Sequence, residues 1–380
     1  MADLSLALVQ DWLVDFGGAE RCLEAACMEF PSAPIRALFY EPARFEDTLI
    51  GAREVGTTFL DRPFVKKRYR TFLPLFPFAI EQLDVGAPDV VLSFSHSVAH
   101  GVLVPSSTLH VCYCHTPVRY AWDLYHRYLQ LSGLTRGPKS WVAKAVLHYL
   151  RMWDVSAAGR VDHYIANSKY VAKRIKRIYG REAEVIHPPV EVDRFFRAEK
   201  RGGYFVTVGR MVPYKRFDLA VVVCTRLGLP LRVVGEGPEF ERLRRLAGPT
   251  VTFTGRLNDT EVAEEVSGAR AFLFCGEEDF GITPVEAQAA GVPVIAYGRG
   301  GALETVVGPR AGDWSKATGL FFDEPSEESL ADALKRFEKN ENKLEPEVAV
   351  ANASRFSVDR FRSELRRTVE NTLESFHGVR

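Results

Sequence analysis

Two glutamates, Glu278 and Glu286, stand with seven residues between them in "GEEDFGITPVEAQAAG" (276–291). A carboxylate accepts hydrogen bonds from hydroxyl groups. Between the two lie Phe280, Gly281, Ile282 and Thr283, where a helix is expected to open. Backbone amides at the positive end of a helix suit a phosphate. The order carboxylate, amides, carboxylate matches a molecule built as hexose, diphosphate and ribose. On that reading Glu278 takes hexose hydroxyls, Glu286 takes the ribose and the loop cradles the phosphates. A local reading stands beside it. T-P-V-E (283–286) has the form of a capping box, with Thr283 at the N-cap, Pro284 at the first helical position and the helix ending at Gly291. The box accounts for Glu286 and leaves Glu278 and Gly281 without a reason.

Three further groups sit where strands end. "YFVTVG" (204–209) runs into Arg210 and Lys215, a guanidinium fork plus an ammonium point charge. That pair suits a diphosphate, and a solvated basic loop is the plain alternative. "LHVCYC" (109–114) runs into His115, either a polarising or proton-handling group or a ring bonded to a backbone carbonyl. "LSLALV" (4–9) leads to Gly17-Gly18, which lets a ligand approach the backbone or simply makes a tight turn before a helix. No G-x-G-x-x-G fingerprint is present, which argues against a dinucleotide cofactor.

These groups need elements to hold them. Short strands, apolar on both faces, alternate with helical periods. They are 4–9, 35–40, 90–95, 109–114 and 163–168 in the first half, and 204–209, 231–235, 251–255, 271–276, 293–298 and 319–322 in the second. The pattern predicts α/β architecture: two Rossmann-like, doubly wound parallel sheets. The series breaks at "VIHPPVEVDRFFRAEKRGG" (185–203), a linker by its prolines and charges. The expected domains are 1–187 and 201–356, with a terminal amphipathic helix over 357–380. Ligands of such sheets bind beyond the carboxyl ends of the strands. If those ends face each other, the cleft between domains is the site.

The composition is that of a globular protein, with 46% apolar and 26% charged residues, so disorder is excluded as the global state. The net charge is zero, with +3 on residues 1–190 and −3 on the rest, which gives no sign of a nucleic-acid partner. The N-terminus lacks the features of a secretory leader, and no apolar run has membrane-spanning length. Six cysteines occur without a C-x-x-C, so buried reduced thiols and a cytoplasmic location are expected. No His, Cys or Asp cluster has metal-ligand spacing.

The stretch "EDFGITPVE", followed by "AQAAGVPVIAYGRGGALETV", resembles the signature of retaining glycosyltransferase family 4, of GT-B fold. "VGRMVPYKRFD", "VGEGPE", "DWLVDFGGAER", "YCHTPVRYAWD" and "YIANSKYVAKRI" resemble the same family, over nearly the whole chain. The subgroup it resembles is the bacterial mannosyltransferases of O-antigen and exopolysaccharide assembly. The resemblance implies a donor of nucleotide-sugar type, GDP-mannose, with no cofactor and no metal. It implies that Gly17 and Gly18 line the diphosphate and sugar, and that His115 contacts the sugar near the reacting carbon. Arg210 and Lys215 would stabilise the departing diphosphate. Glu278 and Phe280 to Thr283 would hold sugar and phosphates, Glu286 the ribose, and Leu257 with Asp259 the base. The terminal helix would cross back to the N-terminal domain. Two departures stand out: "HPPVEVD" where the family often has an Asn-Gly turn, and Asp279 where many members carry glycine.

The acceptor implied is a saccharide or lipid-linked saccharide. One stretch bears on it. "RPFVKKRYRTFLPLFPFAI" (62–80) interleaves five basic residues with aromatic ones. That mixture suits an anionic membrane surface, on the inner face of the cell membrane, or else a core whose charged face is solvated. Two other classes share such a fold: a sugar-nucleotide epimerase or phosphorylase, and a non-catalytic nucleotide-sugar binder. A UDP- or dTDP-sugar is the alternative donor.

Overall fold

The computed structural model describes residues 4–199 and 201–378. The chain divides into two compact units, Met1–His187 with Phe361–Arg380, and Pro188–Arg360.

The first unit carries a seven-stranded parallel sheet. Its strands are β1 (Leu6–Gln10), β2 (Ile35–Ala37), β3 (Val55–Thr57), β4 (Val90–Ser95), β5 (Leu109–Cys114), β6 (His163–Ala166) and β7 (Glu184–Val185), in the order β3-β2-β1-β4-β5-β6-β7. Every residue of β1, β4 and β5 is buried, as expected of central parallel strands covered on both faces. The edge strands β3 and β7 escape the sequence pattern. "VGT" and "EV" are too short to show a period and lack a continuous apolar run.

The second unit carries a six-stranded parallel sheet. Its strands are β8 (Phe205–Val208), β9 (Leu231–Val234), β10 (Val251–Gly255), β11 (Ala271–Phe274), β12 (Val294–Tyr297) and β13 (Gly319–Phe322), in the order β10-β9-β8-β11-β12-β13. The order reverses at β8/β11 here and at β1/β4 in the first unit. Those reversals are the switch points where ligands enter such sheets. Two Rossmann-like sheets bear out the predicted architecture.

The last helix, Val358–Gly378, returns to the first unit as predicted. Phe361 is buried and packs edge-on against Tyr113, with ring centroids 5.5 Å apart. Arg362 Nε donates to Glu29 Oε2 at 3.0 Å, and Arg366 donates to the same carboxylate. Glu29 closes the helix Gly18–Glu29, so two guanidiniums bind the end of the helix that begins at the Gly17-Gly18 loop. All six cysteines are free and buried.

Candidate functional site

In the second unit Lys215 and Glu278 meet. Nζ of Lys215 lies 3.0 Å from Oε1 of Glu278, and both side chains are largely buried. Burial alone would lower the Lys215 pKa. The Glu278 charge and hydrogen bond, with Tyr214 and Glu286, outweigh it and raise the value. The lysine is therefore a fixed cation, neutralised by its partner. Lys215 ends a short 3₁₀ turn, Pro213–Lys215, directly after β8. Arg210 leaves the same strand tip and is exposed.

The loop that carries Glu278 is held from β12. Gly301 N–H donates to the Glu278 carbonyl at 2.9 Å. A Cβ on Gly301 would lie 2.3 Å from the Phe280 backbone, and one on Gly300 would lie 2.4 Å from the Glu278 oxygen. Both contacts are with backbone, so no side chain can move aside. The "GRGG" run (298–301) is thus a clamp on the loop.

The helix Ile282–Ala289 opens at Gly281, whose φ is +84° in the left-handed region, without a side-chain cap. The T-P-V-E capping box does not form, and the helix starts two residues earlier than that box requires. Thr283 falls inside the first turn, and Glu286 is two residues too far along to reach back. Its carboxylate turns instead to Arg194, whose Nη2 is 3.1 Å from Oε1. Arg194 also pairs with Asp259, the first residue of the helix Asp259–Ser267, and lies 3.3 Å from Glu191. Arg194 thus gathers the two carboxylates assigned to ribose and base. Ninety-two positions separate it from Glu286, and no local pattern in the sequence connects them.

A buried polar network fixes that helix. Gln288 Nε2 donates to the carbonyls of Pro284 and Thr305, both at 2.9 Å. Asn352 Nδ2 donates to Gln288 Oε1 at 2.7 Å and to the Thr305 carbonyl. A satisfied network in a low-dielectric interior rigidifies what it ties. Phe280 and Leu257 pack into the adjacent core, with the Phe280 ring against Phe356 at 5.5 Å. What Phe280 offers a ligand is therefore its backbone.

In the first unit the strand tips carry a buried acid. Asp11 lies just past β1 and is fully buried. Its carboxylate accepts four backbone N–H groups, from His96 (2.6 Å), Ser97 (2.9 Å), Val98 (2.6 Å) and Ala99 (2.7 Å), all in the loop after β4. His96 Nδ1 is 2.9 Å from the same carboxylate. Burial alone would raise the Asp11 pKa, but His96 and these amides bring it to about 2. Burial disfavours a charged His96 ring, yet Asp11 and Glu20 outweigh it and raise its pKa. Sequence reading missed this dyad. Asp11 is visible in "QDWL", but its partner begins 85 positions later.

His115 follows β5. Its Nε2 is buried and has no hydrogen-bond partner among the described residues. Burial, with the His96 charge nearby, lowers its pKa to about 3, so the ring is neutral near pH 7. The neighbouring Thr116 is fixed by Arg174, which donates to Thr116 Oγ1 at 2.7 Å and pairs with Asp123. Arg174 belongs to the helix Lys169–Tyr179, capped by Ser168. The "HTPVRYAWD" and "ANSKYVAKRI" motifs therefore form one structural piece. Gly17 N–H donates to Glu20 Oε2 at 3.0 Å. A Cβ on Gly17 would meet only that Glu20 oxygen, at 3.4 Å, which is ordinary contact.

The stretch 62–80 folds as the short helix Pro63–Lys67, a 3₁₀ turn Tyr69–Leu75 and the helix Phe76–Glu81. It divides its residues between both sequence readings. Phe76 is core, and Lys66 is consumed inside the unit by the Tyr40 carbonyl (2.7 Å) and Asp61 (3.1 Å). Arg62, Lys67, Arg68 and Arg70 are exposed with Phe64 and Phe78. No helix among the described residues is long and apolar enough to cross a membrane.

Comparison with known proteins gives two family matches. Residues 16–194 match "Glycosyltransferase Family 4", and residues 191–355 match "Glycosyl transferases group 1". A GDP-mannose-dependent alpha-(1-6)-phosphatidylinositol monomannoside mannosyltransferase of Mycobacterium tuberculosis is 35% identical over 199 residues, 44% of this chain and 50% of that protein. A GDP-mannose-dependent alpha-mannosyltransferase of Mycolicibacterium smegmatis is 38% identical over 172 residues, 42% of this chain and 46% of that protein. The chain thus spans about half the length of the curated relatives it matches. Among solved structures, HepE of Anabaena in complex with UDP-glucose superposes with a TM-score of 0.68 at 15% identity, over 97% of this chain and 100% of that one. Sucrose-phosphate synthase of Thermosynechococcus elongatus gives the same score, identity and coverage. At that identity the likeness is one of fold.

Proposed function

The chain belongs to the group 1 and family 4 glycosyltransferases, and on that premise we propose that it is a retaining, metal-independent mannosyltransferase. It moves mannose from GDP-mannose to a hydroxyl of a saccharide or lipid-linked saccharide in bacterial polysaccharide assembly. The observation that carries this reading is the Lys215–Glu278 pair at 3.0 Å, beside exposed Arg210 and the opening of the helix Ile282–Ala289.

As the anomeric bond breaks, negative charge grows on the departing diphosphate. The Lys215–Glu278 pair has no net charge, so Arg210 supplies the net positive charge, with the helix N-terminus behind it. Lys215 stays protonated because Glu278 holds it so. Glu278 then accepts hexose hydroxyls with the oxygens that the lysine positions. Arg194 fixes the rotamer of Glu286 for the ribose, and it sets Asp259 beside the base. His115, kept neutral near pH 7, is the first unit's contact to the sugar on this reading. The GDP and mannose preference draws on the two mannosyltransferase relatives, which share less than half of this chain. Exposed cations and aromatics in 62–80 support peripheral contact with a lipid surface carrying the acceptor.

The test is a screen of GDP-, UDP- and dTDP-sugars by thermal shift and by leakage of sugar to water, with and without EDTA. GDP-mannose should give the largest shift and measurable hydrolysis that survives EDTA. Preference for a UDP-sugar would replace the donor. Activity lost to EDTA and restored by magnesium or manganese would remove the metal-free mechanism. Binding without turnover to water or acceptor would make the protein a nucleotide-sugar binder.

A further inference from the structure

The helix Pro138–Ala158 has two faces of opposite fate. Its inner face buries Leu147, Leu150, Asp154 and Ala157. Asp154 is fully buried and accepts from Trp122 Nε1 at 2.7 Å and Tyr179 OH at 2.8 Å, with His100 Nε2 at 3.3 Å. Trp153 Nε1 donates to Glu81 at 2.9 Å. The helix is therefore held firmly from below. Its outer face exposes Trp141 (77%), Val142 (64%), Tyr149, Met152 (56%) and Val155. Their spacing follows the three- and four-residue rule that puts side chains on one stripe. Held from within in this way, the helix presents this outer stripe to solvent.

Charge says what covers that stripe. Residues 124–153 contain no Asp or Glu, yet hold Arg127, Arg136, Lys139, Lys144 and Arg151. Lys144 lies over the Trp141 ring, 5.9 Å from its centroid. The Trp153–Glu81 bond ties this helix to the end of the segment 62–80, whose sequence contains no acidic residue. Glu81, which binds Trp153, is one helical turn from Phe78, and Phe78 is 55% exposed against Phe59. Both segments pack on the same core of the first unit. A second copy of the chain would meet this face in self-complementary fashion and set cations against cations. An anionic bilayer satisfies both components: apolar side chains enter the acyl boundary while the cations meet lipid phosphates.

We propose that the outer stripe of the helix Pro138–Ala158 docks on an anionic phospholipid bilayer, and that with the exposed part of 62–80 it forms one membrane-facing surface. The inference rests on the lipid-side partner proposed above, adds a second element to it and is independent of the donor.

The experiment is co-sedimentation of the full chain with vesicles of phosphatidylcholine alone or with phosphatidylglycerol, at low and high salt. Three proteins are compared: wild type, a stripe variant (Trp141→Ser, Val142→Ser, Met152→Ser) and a basic variant (Lys67→Ser, Arg68→Ser, Arg70→Ser). The stripe positions are exposed, so the variant should keep the wild-type melting temperature. Wild type should bind phosphatidylglycerol vesicles and be released by salt. The stripe variant should lose at least about tenfold in partitioning, and its donor hydrolysis in vesicle-free solution should be unchanged. Wild-type binding by the stripe variant, with loss only in the basic variant, overturns the role of the helix and leaves 62–80 as the contact. No binding by wild type overturns both. A concentration-dependent dimer in sedimentation velocity, abolished by the stripe variant, overturns the bilayer in favour of a second copy. Failed hydrolysis with intact vesicle binding counts against the donor reading alone.

Discussion

Both sheets place charged groups at the carboxyl ends of their central strands, and they do so in opposite ways. In the first unit the acid is sealed. Asp11 is wholly buried under four backbone amides and His96, and His115 beside it is kept neutral. In the second unit the charges stand in largely buried opposite pairs, Lys215 with Glu278 and Arg194 with Glu286, beside exposed Arg210. The sealed arrangement sets the shape of a loop. The paired arrangement is ready to exchange partners, since a ligand phosphate or hydroxyl competes with a partner already in reach. A buried charge with fixed hydrogen bonds is expected to govern stability, and on the proposed function the opposite-charge pair at a strand tip would govern binding.

The largest effect should come from breaking the sealed side. Asp11→Asn removes the charge while leaving the shape, and sets an amide donor against backbone N–H donors. Uncoupling such a buried pair costs about 3–5 kcal/mol. Urea unfolding should show that loss at pH 7. The pH dependence has a definite sign. The folded pKa of about 2 is below the ordinary value of about 3.9. The stabilisation is thus complete above pH of about 4 and is lost as pH falls toward about 2. The variant should lack that part of the acid loss. His115 adds a second acid-side slope. An unfolded histidine takes a proton below about 6.5, whereas the folded ring resists to about 3, so stability falls with pH in that window. Wild-type stability in Asp11→Asn would erase the contrast between sealed and paired sites.

The paired side should break in turnover instead. On the proposed mechanism, Lys215→Ala or Arg210→Ala should remove a donor to the leaving group, at a cost of about 2.7–4 kcal/mol, or about 100–1,000-fold in kcat. Lys215→Ala should be the worse of the two, because it also strands Glu278, whereas Arg210 is exposed. Steady-state transfer with soluble acceptor, alongside circular dichroism, reads both. Near-normal kcat in both variants would remove the anion cradle.

The contrast also explains what could be read in the residues. The second-unit motif is contiguous, so Glu278, Gly281 and Glu286 declare themselves within sixteen residues. The apolar runs of β4, β5 and β11 are long enough to mark the core of each sheet. Arg194 stayed invisible because its partner is 92 residues away, and His96 because Asp11 is 85 away. Parallel sheets create such pairs by topology, and a one-dimensional period carries no trace of them. The capping box failed for a different reason. T-P-V-E satisfies the local rule, but Gly281 can adopt φ of +84° and start the helix earlier, which frees Glu286 for a distant arginine. Tertiary contact overrode a local preference worth about 1 kcal/mol.

A smaller effect sharpens the role of the loop clamp. Gly301→Ala puts a methyl 2.3 Å from the Phe280 backbone. Overpacking of that kind costs about 1–3 kcal/mol. The strain falls on the loop between Glu278 and Gly281, so the Michaelis constant for donor should rise together with a drop in melting temperature. A lower melting temperature with unchanged donor kinetics would detach the "GRGG" clamp from the site.

The smallest stability change is expected at Gly17, and it separates fold from ligand most cleanly. An added Cβ there meets only Glu20 Oε2, at 3.4 Å, and φ is −151°, extended backbone that any residue adopts. The fold therefore does not require glycine at this position. If the loop lies against the donor diphosphate and sugar, a methyl group would occupy ligand space instead. Gly17→Ala should keep its unfolding free energy within about 0.5 kcal/mol of wild type. It should lower kcat/KM by about tenfold, the equivalent of about 1.4 kcal/mol of lost transition-state contact. Gly301→Ala is the control, because it must lose stability as well. A Gly17→Ala protein with wild-type kcat/KM would make Gly17-Gly18 a plain turn before a helix, and the donor site would then belong to the second unit alone.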